Sequence, residues 1–365
     1  MNLMQRMITL SLLMCLAGCT SVPLVKERFI WPPAPDEPRI EWIGRYKDQL
    51  DMRSGEKSFI SALTGEEDSI SLANPATVAA DGEGRVYISD LAKSGVMVFD
   101  FNKKAVHMLG GTTSIGLFKN PSGIAFDADG NIYAADLDAR KIYLFNKNET
   151  PLRSIDLSAS VKSIGFFAID KARKRIIVPD VRGHKLLIVD YDGKLIKTID
   201  QFRDKKDGFS FPTSVAIDPK GNILVADSMN SRVVRLTPEG DFLSTFGQRG
   251  DNIGDMSIIK GVAVDSEGHI YVTDAKANRM QIFNDNGETL LVIGQYSNNP
   301  NQVGGFNAPA GIYIDQNDAI YVVEKLGRSF QIFQYLNSRY LAQHPITKDT
   351  PLAKKTKDVD KKEAK

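Results

Sequence analysis

Acidic and basic side chains recur at a nearly fixed distance along this chain. Asp227 is followed by Asn230 and Arg232, Asp274 by Arg279, and Asp136 by Arg140 and Lys141. Asp180 precedes Arg182, His184 and Lys185, Glu324 precedes Arg328, and Asp90 completes a series of six acids. Two kinds of chemistry suit this pattern. Basic tips on a shared face would bind an acidic protein patch or an anionic polymer, which makes Arg140, Arg182, His184, Arg232, Arg279 and Arg328 the candidate binding residues. A repeated carboxylate a few residues from a guanidinium can also brace a loop, because the two groups pair bidentately. The acids Asp90, Asp136, Asp180, Asp227, Asp274 and Glu324 are read as such braces. Arg182, Lys276 and Lys325 add extra positive charge beside three of them.

Other chemistries find little support. A catalytic zinc takes about three protein ligands, yet His107, His184, His269 and His344 fall at non-equivalent places in the pattern. No metal site and no cofactor are therefore expected, although acids and carbonyls lining a channel could still hold a hard cation. No G-x-S-x-G elbow occurs, and the only cysteines are Cys15 and Cys19. A thiol nucleophile, a disulfide framework and a thiolate metal cluster are excluded from the body of the chain. Lys+Arg (46) and Asp+Glu (45) nearly cancel, so nucleic acid is not an expected partner.

The elements that position these residues follow from an internal repeat. A turn Asp recurs at Asp81, Asp127, Asp170, Asp218, Asp265 and Asp315, with spacings of 46, 43, 48, 47 and 50. Each is followed by an apolar run that ends in one of the six acids. The fourth copy contains the short strand patterns SVAID, NILVAD, RVVRLT and FLSTFG, rich in Val, Ile, Leu and Phe. DPKGN and TPEGD punctuate them with residues that make tight turns at low steric cost. Six antiparallel four-stranded units with this period predict an all-β, six-bladed β-propeller, its innermost strands lining the axis. The acid–base loops then share a face with the long connections between blades.

Three features within the copies resemble the NHL repeat: F-x-x-P before the first strand, the D-x-x-G turn, and the D…N…R-V element. FKNPSGIAFDADGNIYAAD, FSFPTSVAIDPKGNILVADSMNSRV and FNAPAGIYID carry them, and the resemblance covers about residues 72–336. The third copy lacks the Pro and the turn Gly; the sixth has Asp318 for the Gly and Glu324 for Asp. The resemblance implies a non-enzymatic scaffold that binds through its loop face. The alternative is a propeller enzyme, a metal-dependent lactonase or lyase-like hydrolase, with its site at the channel mouth.

EWIGRYKD (41–48) is similar to LVIGQYSN (291–298), the outermost strand of the fifth copy, while the sixth copy lacks a fourth strand of its own. Residues 39–46 are therefore expected to pair there and close the ring, which removes an exposed edge. Residues 39–71 form this closing strand and a connecting segment with a short helix at 57–65. The propeller spans 72–344, and 345–365 is a charged tail expected to be disordered.

At the other end, Arg6 precedes an apolar run over residues 7–16, then Leu16-Ala17-Gly18-Cys19. This is a signal peptide over residues 1–18, and it resembles the bacterial lipobox. The resemblance implies lipid attachment at Cys19. Two or more acyl chains hold a protein where one does not, at about 0.8 kcal/mol per buried CH₂. Thr20, not Asp, follows the cysteine, which by the same resemblance favours the outer membrane, facing the periplasm. Residues 19–38 are the lipidated terminus and a stiff Pro-rich spacer, WPPAPDEP. The expected object is a monomeric, exported, membrane-anchored propeller with an envelope protein as partner.

Overall fold

The computed structural model describes residues 27–33, 35–53, 70–114, 116–202, 207–347 and 350–353. The signal peptide, Cys19, the expected helix at 57–65 and residues 354–365 of the tail lie outside the described residues.

The chain is a six-bladed propeller. Blade four shows the plan: Pro212–Ile217, Ile223–Asp227, Arg232–Leu236 and Phe242–Phe246 pair antiparallel in sequence order. Blade five repeats it with Ile259–Val264, Ile270–Asp274, Arg279–Phe283 and Thr289–Ile293. Blades one, two and three begin with Pro75–Ala80, Pro121–Phe126 and Ala168–Asp170. The innermost strands touch their neighbours in an unbroken circle. Six apolar clusters fill the six interfaces between blades; Leu224 and Val233 of blade four, for example, meet Val262 and Val272 of blade five. A blade alone would leave these faces in water, which is why the repeat must come in a ring.

Blade six is closed from the other end of the chain, as expected. Its own strands are Pro309–Ile314, Ala319–Glu324 and Ser329–Tyr335, and Ile40–Tyr46 pairs with the last of them as the fourth. Ile40 is fully buried against blades five and six. Trp42 donates to Gln331 at 2.8 Å.

The segment before the closing strand departs from the spacer reading. Phe29–Trp31 pairs with residues 40–42 as a fifth strand, so the segment that follows Trp31 connects two strands of a hairpin and is not an arm lifting the propeller. Trp31 packs beside Phe333, and Arg28 forms a fork-to-fork pair with Glu41. The start of the tail is ordered too. Arg28 N–H donates to Pro351 O, and Ala353 N–H donates to Arg28 O. Apolar area and a paired guanidinium hold this segment where composition alone suggested an extended chain.

Candidate functional site

Propeller geometry puts loops on two faces. One carries the loops between second and third strands and the connections between blades. The other carries the D-x-x-G turns and the loops between third and fourth strands.

On the loop face, the six acids that end the second strands are buried, five of them at 0% exposure. Asp136 accepts from the backbone N–H groups of Lys119 and Asn120, ahead of its own blade, and of Asp138 and Ala139 in the loop that follows. Asp90, Asp180 and Asp274 bind the same two segments of their blades. Asp227 accepts from Ser210 N–H, Asn230 and Arg232; burial nevertheless pushes its carboxyl above the usual range. Glu324 accepts from Asn307 N–H, Ser329 and Gln331 and pairs with Arg45 at 3.0 Å.

The six basic candidates separate into kinds that spacing did not distinguish. Arg232 and Arg279 begin third strands and are engaged. Arg232 pairs with Asp227 at 2.8 Å and Asp207 at 2.7 Å, over the Phe202 ring. Arg279 donates to the carbonyls of Asn252 and Asp255 at 2.9 Å, holding the connection that leads into its blade. Arg45, on the closing strand, does the same for blade six through Pro300 and Gly305. Arg140, His184 and Arg328 sit one residue earlier, in the left-handed conformation shared by Ser94, Ser231 and Asn278. Arg140 donates to Ser158 O. His184 accepts from Phe211 N–H at 3.2 Å and meets its ring edge-on. Arg182 and Arg328 are exposed. Among the described residues, Arg182, Lys276, Lys325 and Arg328 make no ion pair.

Apolar side chains are exposed among these cations. Met229 and Leu326 stand on loops after second strands, and Phe211 and Ile258 precede first strands. Ile253 and Tyr296, 74% and 62% exposed, lie on the connections into blades five and six. The patch therefore spreads over blades four to six. Its sequence signal was Met and Leu where loop positions in other blades carry Asp138, Arg182 or Lys276.

The turn face is different. A bowl of about 950 Å³ opens on the axis, with nine carboxylates and four cationic side chains in its lining. Asp81, Asp127, Asp218, Asp265 and Asp315 line it. Each uses one oxygen to accept two N–H groups of its own turn, as Asp218 does from Lys220 and Asn222. Tyr133, Tyr271 and Tyr321 donate to the second oxygen in blades two, five and six. Asp318 takes the left-handed turn position that glycine fills in blade four, at a φ of 59°. Its carboxylate accepts from Ser266 of blade five, through both backbone and hydroxyl. The departure from the repeat is thus a tie between blades.

The histidines stay apart. His107 lies 2.7 Å from Glu149, His184 is on the loop face, and His344 follows a short helix, Ser338–Gln343. His269 binds Asp265 at 2.9 Å and lines a separate pocket of about 400 Å³ with Tyr335 and Leu290. Among the described residues, no three His, Cys, Asp or Glu side chains are grouped to hold a metal ion.

Fold and loops together define a six-bladed β-propeller, two of whose blades match the NHL repeat. The family model of the NHL repeat matches residues 209–236 and 258–283, the first three strands of blades four and five and the residues leading into them. No curated protein matches the chain. Similar solved structures include a streptogramin B lyase, 13% identical over 73% of this chain and 95% of that one, with a TM-score of 0.52. A gluconolactonase from Xanthomonas campestris is 14% identical over 72% and 86%, at 0.54. An auxiliary nutrient binding protein from Bacteroides thetaiotaomicron is 12% identical over 73% and 70%, at 0.56. At these identities the likeness is one of fold, and the fold serves both catalysis and binding.

Proposed function

We propose that this chain is a monomeric binding scaffold of the cell envelope, exported, lipidated at Cys19 and held on the periplasmic side of the outer membrane. Its loop face docks a protein partner. The observation that carries this reading is the exposed apolar set Phe211, Met229, Ile258 and Leu326 on loops held stiff by buried acids. Exposed apolar groups gathered on one face mark interaction surfaces more often than scattered ones do, and rigid loops lower the ordering cost of binding.

A photoreactive residue placed at Leu326 or Met229 in intact cells tests it. A discrete protein adduct is expected there, and none from Leu195 or Ile196 on an outer strand of blade three. No adduct, or equal adducts at all four positions, overturns the docking reading. Cys19→Ser should move the protein from the membrane fraction to the soluble one.

A second reading, catalysis in the bowl, is favoured by its volume and carboxylates, and proteins of similar fold include a lyase and a gluconolactonase. Lactone hydrolysis that survives Leu326→Asp and is lost with Asp127→Asn would select it.

A further inference from the structure

The innermost strands carry an irregularity that recurs around the ring. Near the loop face, the pairing of first and second strands shifts between Pro75 and Thr77, Pro212 and Ser214, and Ile259 and Gly261, with wider shifts in blades two and six. The extra residue sits on the edge of the sheet that borders the axis. In the five blades whose first strand spans it, the residue following the first strand's opening position is Ala76, Ser122, Thr213, Lys260 or Ala310; Gly165 falls there in blade three, where Ile164 bridges Asp180. Five of the six are small and uncharged. One is a lysine.

Lys260 is only partly exposed, and among the described residues it makes no ion pair. Another cation, Lys325 on the loop after the second strand of blade six, acts on it. Burial pushes the Lys260 ammonium below its ordinary range, and Lys325 adds to the effect. Across the axis, in blade two, Ser122 occupies the matching position with a buried hydroxyl that has no partner. A buried cation or hydroxyl left unpaired is costly, and elsewhere on this face Arg232 pairs with Asp227 and Asp207 while Arg279 donates to the carbonyls of Asn252 and Asp255. The two lysines are flanked in sequence by the patch itself: Ile258 precedes Lys260 by two residues, and Leu326 follows Lys325.

We propose that Lys260 and Lys325 seat a carboxylate of the docking partner, so that the loop face recognises a polypeptide segment with an acidic residue between apolar ones. This rests on the docking reading and adds the partner's chemistry. An acid placed there pairs with both cations while its neighbours cover Met229, Ile258 and Leu326. A charge that meets its counter-charge at the centre of an interface fixes register and slows dissociation.

Random peptides displayed on phage, selected on the purified full-length chain in detergent, provide the test. The enriched peptides should share an Asp or Glu with apolar neighbours. Lys260→Met and Lys325→Met should each weaken the consensus peptide about tenfold. Its Asp→Asn form should bind wild type that much more weakly and lose little more on Lys260→Met. Unchanged far-UV circular dichroism and cooperative melting no lower than that of wild type show that each variant is folded, and Lys325→Met, at an exposed position, serves if Lys260→Met fails this control. Apolar peptides without an acid, released by Met229→Asp and indifferent to both lysine variants, overturn the seat and keep the docking face. Acidic peptides released by the lysine variants but not by Met229→Asp or Leu326→Asp keep the seat and overturn the apolar docking reading. Peptides indifferent to every variant overturn both. Binding of phosphatidylglycerol vesicles that needs Lys260, with no acidic peptide enriched, overturns the polypeptide partner.

Discussion

The two faces of this propeller use charge in opposite ways. On the turn face, carboxylates crowd a bowl, yet the turn aspartates are fastened to their own turns: Asp218 to Lys220 and Asn222 N–H, Asp265 to Glu267 and His269 N–H. On the loop face the acids are likewise buried and fastened, but the cations divide. Arg232, Arg279 and Arg45 hold loops in place. Arg182, Lys276, Lys325 and Arg328 point to no acid among the described residues. A residue's type and spacing therefore say less about its work than whether its polar atoms already have partners.

The widest break in this comparison removes both faces together. Deleting residues 36–48 takes away the fourth strand of blade six and uncovers Phe330 and Phe333, both fully buried. The variant should lose cooperative unfolding, or melt more than about 10 °C lower, since even Ile40→Ala alone should cost roughly 2–5 kcal/mol. A deletion variant that melts like wild type would show that closure contributes nothing.

Within the loop face, engaged and unengaged arginines should separate sharply. Arg232→Met takes the paired guanidinium away from Asp227, which is at 0% exposure. A buried pair broken from one side costs about 3–5 kcal/mol. Arg328→Met, on an exposed loop tip, should lie within about 0.5 kcal/mol of wild type. Urea unfolding of the two proteins checks this directly. Equal effects would erase the distinction. The same contrast bears on partner binding: charge reversal at Arg182 or Arg328 probes docking, whereas reversal at Arg232 or Arg279 would disturb the loops that present the patch.

This contrast marks how far the sequence could be read. The ring, its six copies and the closing strand were legible, because each is a matter of period and apolar pattern. The acids stood out because they recur. What the sequence left hidden depends on partners far along the chain. Arg45 meets Glu324 and Gly305 across more than 250 residues. Asp318 reads as a lapse in the turn motif until Ser266 is beside it. Lys260 reads as one more strand residue until the bulge places it at the axis. Phe29–Trp31 was hidden by the prolines after it, which suggested a spacer and are in fact a hairpin bend. The apolar patch offered only single residues, Met229 and Leu326, in loops of different copies, and nothing in one dimension joins them.

The faces should also answer pH in opposite directions. On the turn face, the hydrogen bond to Asp265 raises the His269 imidazole above its ordinary 6.5, against burial, with Glu267 helping and Arg39 opposing. A raised folded value means that the native state holds the proton more tightly. The stabilisation is complete below 6.5 and disappears as pH climbs through the folded value. On the loop face the sign reverses. The native Lys260 releases its proton below 10.5, where the unfolded chain still holds it. Stability should rise with pH between the depressed folded value and 10.5. The effects are small beside those of Arg232 or the closing strand, and other groups titrate in the same ranges, so difference curves are needed. Melting temperature against pH should lose part of its neutral-range decline in His269→Gln. It should lose part of its alkaline rise in Lys260→Met, which ought also to melt slightly higher than wild type near neutrality. A Lys260→Met protein that melts lower would mean that the lysine already has a stabilising contact, and the unpaired cation at the axis would no longer be available to a partner's carboxylate.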